Sequence, residues 1–334
     1  MAASILVLGA GPAGTAAAIE AASRGLEVTL LEAAAFPRDH PGEALHPGTR
    51  ALFGKLRVLE AVEEAGFVRH SGVWIERAGR REFQAFSPGP EQWFGYQAWR
   101  ARLDSILLER ARNAGVRVLQ PVRARELVRD GKRVIGVISN EGLLEADFIL
   151  DGTGGSRWLS RQMQMPWQYH SRRLLVQYGY ASGECPARHA QPLFRWTGRQ
   201  WEWTARVLPD TYQWTRLMAS GEPFARNWLP EEFRRLDPVG PVRGADATWM
   251  SASHFSGSGY FLLGDASATL DPSSSHGVLR ALMSGMMAAH LIAEGTRKRQ
   301  SELLLTNVYN EWLGRWLAHD LENLRDLYRR AESE

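Results

Sequence analysis

Gly9, Gly11 and Gly14 are spaced G-x-G-x-x-G, and an acid, Glu32, stands further along the chain. Together these residues can hold an anionic dinucleotide. Gly9 permits a tight turn, Gly11 lets the backbone approach a pyrophosphate, and Gly14 allows a helix to pack closely on a strand. Unpaired N–H groups at the helix N-terminus would face the negative charge, and Glu32 would hold ribose hydroxyls. The elements needed around the glycines are present. Residues 4–8 are a short apolar run that reads as a buried strand, and Pro12 suits a first helical turn. The alanine-rich stretch 13–23 stops before Gly25, and residues 27–31 read as a second strand that closes a parallel strand-helix-strand unit. The glycines alone are a weak sign, but strand, helix, second strand and terminal acid form a binding fingerprint.

Acid-base candidates lie in two other segments. Glu43 and His46 fall in FPRDHPGEALHP, residues 36–47, and His276 falls in DPSSSHG, just before an apolar helical stretch that starts at Gly277. His254 is a weaker candidate, and no pair among the nine histidines has metal-ligand spacing, so no metal is expected.

Residues 101–114 have helical spacing and lead into a strand at 116–119. Residues 123–147 alternate and turn at Asp130-Gly131, as an antiparallel meander does, and 148–150 return as a strand. Residues 173–249 change to short aromatic-rich runs broken by glycine and proline, which predicts a larger antiparallel sheet. Helix-strand alternation resumes at 260–263 and continues in a helix over about 277–294. Residues 300–330 form an amphipathic helical tail. The first domain is therefore discontinuous: 1–70, 98–165 and 253–296, with 71–97 and 166–252 as the second domain and 297–334 as the tail.

Composition excludes several classes. At 334 residues with 44% hydrophobic and 23% charged, the chain is neither a small disulfide scaffold nor disordered. Its single cysteine, Cys185, makes no internal disulfide, so the cytoplasm is the default compartment. A net charge of +3 gives no nucleic-acid footprint; only three of the 40 basic residues, Lys55, Lys132 and Lys298, are lysines. No apolar run is long enough to span a membrane. Residues 1–22 lack the basic start of a signal peptide and carry three spaced glycines.

The segment GDASATLDPSSSHGVLRALMSGMMAA, residues 264–289, resembles the FAD-dependent monooxygenase superfamily with the p-hydroxybenzoate hydroxylase fold, and within it the halogenase-like branch. Three further segments are similar to that branch: the Gly-Glu stretch with Arg38, Gly42 and Glu43; Arg100 and Asp104 at a helix start; and DGTGGSRWLSR, residues 151–161. The resemblance implies an α/β fold in which a Rossmann-like FAD-binding domain, three-layered around a mostly parallel sheet, is interleaved with an antiparallel-sheet α+β substrate domain. It implies FAD as cofactor, with Gly9, Gly11, Gly14, Glu32, Arg38, Arg100, Asp265 and Gly277 as binding residues. A helix starting at Gly277 would direct N–H donors at the negative charge of a reduced flavin.

Reduced flavin and oxygen give a C4a-hydroperoxide, which hydroxylates electron-rich rings or oxidises halide. Halogenases of this superfamily need a lysine in the substrate domain, and the corresponding strand here, residues 71–81, carries Arg77, Arg80 and Arg81 instead. The halogenase signature W-x-W-x-I-P is matched only by Trp201, Glu202 and Trp203. The resemblance therefore points to hydroxylation of an aromatic ring, with Glu43, His276 and His46 as catalytic candidates. It extends to flavoproteins that modify tryptophan during maturation of quinone-cofactor amine and amino-acid oxidases. An aromatic small molecule or a tryptophan-containing client protein is the expected partner, and NAD(P)H or a flavin reductase the electron donor, because no second G-x-G-x-x-G exists. The alternatives are a flavin-dependent halogenase, a reductase of isoprenoid double bonds resembling geranylgeranyl reductase, and a flavin-bound assembly partner. Eight of the 13 tryptophans lie in residues 158–249, in sheet core or around a flat substrate.

Overall fold

The computed structural model describes residues 3–38, 40–87, 93–198, 200–219 and 221–333. Asp39 of the Gly-Glu stretch and residues 88–92 of the second domain lie outside them. Six strands form the first sheet in the order Ser256–Gly257, Tyr260–Leu262, Phe148–Asp151, Ser4–Leu8, Glu27–Leu31 and Arg117–Leu119. Every pairing is parallel except the short hairpin at the first edge. Parallel strands are covered on both faces, and strand Ser4–Leu8 shows how. Ile5 and Val7 face a core shared with helices Pro12–Ser23 and Gly277–Lys298, while Leu6 and Leu8 face one shared with Val134, Val137 and Ile149. The second face is closed by the antiparallel meander Ala124–Asp130, Arg133–Ser139 and Gly142–Glu145. Three layers result.

Small residues set the helix spacing. A Cβ at Gly285 would lie 2.2 Å from the Ala13 carbonyl oxygen, so the two helices meet backbone to backbone. A Cβ at Gly14 would lie 1.9 Å from the Gly9 carbonyl oxygen, which holds the same helix against the first strand.

A seven-stranded sheet occupies the second half, ordered Asp237–Asp246, Leu175–Ser182, Thr211–Leu217, Gln200–Leu208, Leu193–Thr197, Gly72–Arg77 and Arg80–Ala85. Its pairings are antiparallel except that of Leu193–Thr197 with Gly72–Arg77. The single strand expected over residues 71–81 is instead a hairpin. Ala78 and Gly79 both take positive φ, 46° and 74°, and turn the chain.

A small antiparallel sheet, Glu43–Leu45, Gly95–Ala98 and Val68–His70, joins the two halves and carries Glu43. The last helix, Glu302–Ser333, buries Leu305, Tyr309, Leu313, Leu321 and Leu324 along one stripe. Each fully buried leucine contributes about 1.5–3 kcal/mol, and the Tyr309 hydroxyl donates to the Leu262 carbonyl at 2.8 Å. No helix among the described residues is long and apolar enough to cross a membrane.

Candidate functional site

One cavity of about 1150 Å³ runs from the glycine turn to the aromatic sheet. At its first end, Gly9 takes φ 90°, and a Cβ there would lie 2.7 Å from the Gly152 carbonyl oxygen, so only glycine fits this turn. Gly11 differs. Its φ of −74° and ψ of 179° suit any residue, and a Cβ would meet only the Arg38 guanidinium, at 3.1 Å. The space in front of Gly11 is bounded on the protein side by the Arg38 guanidinium.

Glu32 is 4% exposed and secures the turn from below: Oε2 accepts from Ala10 N–H at 2.7 Å and from Arg38 Nη1 at 3.1 Å, and Oε1 from Ala34 N–H at 2.8 Å. Arg38 also donates through Nη2 to Asp104 Oδ2 at 3.1 Å. Asp104, fully buried, takes two bonds from Arg100 at 2.9 and 3.1 Å, and Arg100 Nη1 donates to Glu43 Oε1. Burial alone would raise the Asp104 carboxyl, but Arg100 and Arg38 overcome it and hold the group below the ordinary range. Glu43 is shifted the other way: burial raises its carboxyl, with Arg100 opposing. About a third of the Glu43 side chain stays open, 33%, and it lines the cavity. Oε1 is taken by Arg100, and Oε2 lies 4.0 Å from where a Cβ at Gly277 would stand.

The wall opposite is the loop between Leu262 and the long helix. Asp265, half exposed, receives Arg280 Nη2 at 3.3 Å; Arg280 lies within the first turns of the helix that starts at Gly277. Buried Asp271 caps the short turn Pro272–Ser274 by accepting from Ser273 N–H at 2.8 Å. Its other oxygen accepts from the Tyr328 hydroxyl at 2.6 Å, and that hydroxyl in turn accepts from Trp201 Nε1 at 3.1 Å. Burial raises the Asp271 carboxyl, with Ser273 and Tyr328 opposing. His276 contacts Asp320 Oδ1 through Nδ1 at 3.1 Å, and Asp320 Oδ2 also lies 3.7 Å from Arg280 Nη1. The last helix thus grips the loop at both ends.

Among the residues singled out from sequence, Gly9, Gly11, Glu32, Arg38, Glu43, Arg100, Asp265 and Gly277 line the cavity, and Gly14 packs directly beneath the turn. His46 and His276 face each other edge to face, ring centres 5.2 Å apart, outside the cavity lining. His46 Nδ1 accepts from Gly48 N–H at 3.0 Å, and burial, then the proximity of His276, lowers its pKa.

Sequence reading missed Asp271, Tyr328, Asp320, Arg280 and Gln213. A charged Arg280 in an otherwise apolar helical stretch was a usable sign. Tyr328 and Asp320 carried none, because only tertiary packing brings them to the loop.

The far end of the cavity is aromatic: Phe194, Trp201 and Trp203 line it with Tyr178, Gln213 and Thr215. The site fits a dinucleotide with room beyond it. Its glycine cradle is open at Gly11, and buried Arg38 Nε, Arg280 Nε and Thr269 Oγ1 of cavity-lining residues have no partner among the described residues.

Comparison with known proteins agrees with this geometry. Residues 2–174 match the family described as FAD binding domain. The tryptophan 2-halogenase of Chondromyces crocatus is 29% identical over 325 residues, covering 85% of this chain, and the chain spans only 60% of that relative's length. The solved flavin-dependent brominase Bmp2 superposes with a TM-score of 0.83 at 21% identity, covering 99% of this chain and 93% of its own. PqsL of Pseudomonas aeruginosa, a probable FAD-dependent monooxygenase, gives 0.82 at 13%, covering 99% and 97%. The fold is the interleaved α/β arrangement that the motifs implied.

Proposed function

The chain belongs to the FAD binding domain family with FAD as its cofactor, and from that premise we propose that it is a monooxygenase hydroxylating an aromatic ring, an indole either free or carried as a tryptophan of a client protein. The observation that carries this reading is the cavity in which the glycine cradle opens directly onto an aromatic wall with no lysine in its lining. The chain's three lysines, Lys55, Lys132 and Lys298, are all exposed and elsewhere.

Gly9, Gly11, Glu32 and Arg38 would hold the adenine-side half of FAD, and Arg100, Asp265 and the N-terminus of helix Gly277–Lys298 the flavin side. Bound FAD supplies the redox chemistry, taking electrons from NAD(P)H or a flavin reductase and activating oxygen. The protein does the rest. Phe194, Trp201 and Trp203 present apolar faces that orient a flat ring and exclude water. Glu43, its carboxyl raised by burial, holds or takes a proton at Oε2 while Arg100 fixes Oε1. The His46 and His276 pair supports the loop behind this acid.

Halogenation is the second reading, favoured by the tryptophan 2-halogenase likeness. One experiment separates the two. FAD, a reductant, air and bromide are incubated with the enzyme and either indole or a tryptophan peptide, and products are weighed. Gain of one or two oxygens supports hydroxylation, whereas a bromine isotope doublet overturns it.

A further inference from the structure

A second cavity, of about 370 Å³, lies beside Tyr328 and shares no lining residue with the first. Its floor is apolar. Leu174 and Trp249 are both buried, and the Tyr328 ring stands edge to face on Trp249 with ring centres 5.3 Å apart. Because the Tyr328 hydroxyl is committed to Asp271 at 2.6 Å, the slot is left with the ring.

The rim is cationic. Arg172 comes from the segment before strand Leu175–Ser182, and Arg325 and Arg329 come from the last helix, one turn apart. Like charges at that spacing repel, and a third guanidinium from a distant part of the chain adds to the repulsion. Asp326 answers Arg329, but among the described residues neither Arg172 nor Arg325 has an acid partner, and Arg325 makes no pair with Glu322, one turn before it. Other helical arginines do pair at this spacing: Arg24 with Glu20 and Arg297 with Glu294, each at 2.6 Å. No carboxylate is among the described residues that line the slot. Burial, then the charge of Arg325, lowers the pKa of nearby His170. Apolar walls under a rim of guanidinium groups suit a flat body with one anionic end, since the guanidinium fork matches carboxylate and phosphate oxygens two at a time.

We propose that this cavity binds a small planar molecule bearing one oxyanion group, carboxylate or phosphate, with its ring against Trp249 and Tyr328 and its oxyanion between Arg172 and Arg325. The inference stands apart from the hydroxylase reading, because neither arginine lines the first cavity.

The test titrates FAD-loaded protein with benzoate, phenyl phosphate and uncharged benzamide by calorimetry, in wild type, Arg172→Gln, Arg325→Gln and the control Arg315→Gln. Arg315 is exposed on the same helix and paired with Glu311. Wild type should bind at least one of the two anions about 10-fold more tightly than benzamide, and the tighter of the two identifies the oxyanion. Arg172→Gln and Arg325→Gln should each weaken that anion by at least about fivefold while leaving benzamide and the melting midpoint unchanged. Arg315→Gln should bind as wild type does. Benzamide bound as tightly as both anions overturns the inference, as does anion affinity unchanged in both slot variants, which would put the anion in the first cavity. An equal loss in Arg315→Gln overturns it as a general charge effect, and so does the absence of binding by either anion up to about 10 mM.

Discussion

Two glycines three residues apart, Gly11 and Gly14, should fail in opposite ways when given a side chain, and the contrast tests the cofactor cradle directly. At Gly14 the new Cβ would lie 1.9 Å from the Gly9 carbonyl oxygen, about 1.5 Å short of ordinary contact at 3.4 Å. The helix cannot retreat, because its other side meets Gly285, where a Cβ would be 2.2 Å from the Ala13 carbonyl oxygen. Gly14→Ala should therefore cost the apoprotein about 3 kcal/mol, the upper end for overpacking, which in a chain this size lowers the melting midpoint by roughly 4 °C. At Gly11 the Cβ meets only the far end of the Arg38 side chain, at 3.1 Å, and the backbone already suits any residue. Gly11→Val should leave the apoprotein within about 0.5 kcal/mol of wild type while filling the space a pyrophosphate needs. FAD affinity should fall at least about 100-fold, or about 2.7 kcal/mol. Calorimetric melting of apoprotein and titration with FAD, followed by flavin fluorescence, read the two effects separately. A Gly11→Val protein that binds FAD normally, or that melts as early as Gly14→Ala, refutes the reasoning.

Three further outcomes are expected. Glu43→Gln should retain FAD and the wild-type melting midpoint while turnover falls about 100-fold, measured under saturating substrate; loss of bound flavin would make Glu43 a structural residue instead. Asp104 is held below its ordinary pKa by Arg100 and Arg38 against its burial, so its contribution is present above the unfolded value near 3.9 and lost as pH falls through the folded one. Acid unfolding of Asp104→Asn should lack that limb, and the variant should lose about 1.5–3 kcal/mol at neutral pH, since Arg38 and Arg100 each lose one carboxylate but keep Glu32 and Glu43; a pH profile of melting parallel to wild type would contradict this. Tyr328→Phe removes the bond to buried Asp271 at 2.6 Å and the acceptor for Trp201 Nε1 at 3.1 Å. It should cost about 1–3 kcal/mol and change the tryptophan emission spectrum, and an unaltered spectrum with an unaltered midpoint would remove the clasp from the argument.

The first sheet and its glycine turn were legible because local rules and tertiary need coincide there. A short apolar strand, a proline at a helix start and a glycine at a tight turn each mean the same thing in isolation as in the fold. The strand expected over residues 71–81 shows where this fails: Ala78 adopts a positive φ that its type does not announce, and a hairpin forms. Arg38 and Arg100 were located by motif, but their joint grip on Asp104 depends on side chains 66 and 4 residues apart meeting in space. His46 and His276 stand 230 residues apart as acid-base candidates in sequence, and only the fold sets their rings against each other, outside the cavity lining.

The loop that closes the cavity is tied down from far along the chain: His276 by Asp320, 44 residues later, and Asp271 by Tyr328, 57 residues later. During synthesis, then, the loop leaves the ribosome well before the residues that shape it exist. The glycine turn waits as well, since its strand Ser4–Leu8, paired early with Glu27–Leu31, gains its second neighbour only when Phe148–Asp151 has been made. Cofactor capture is thereby deferred until residues 320–328 have been made.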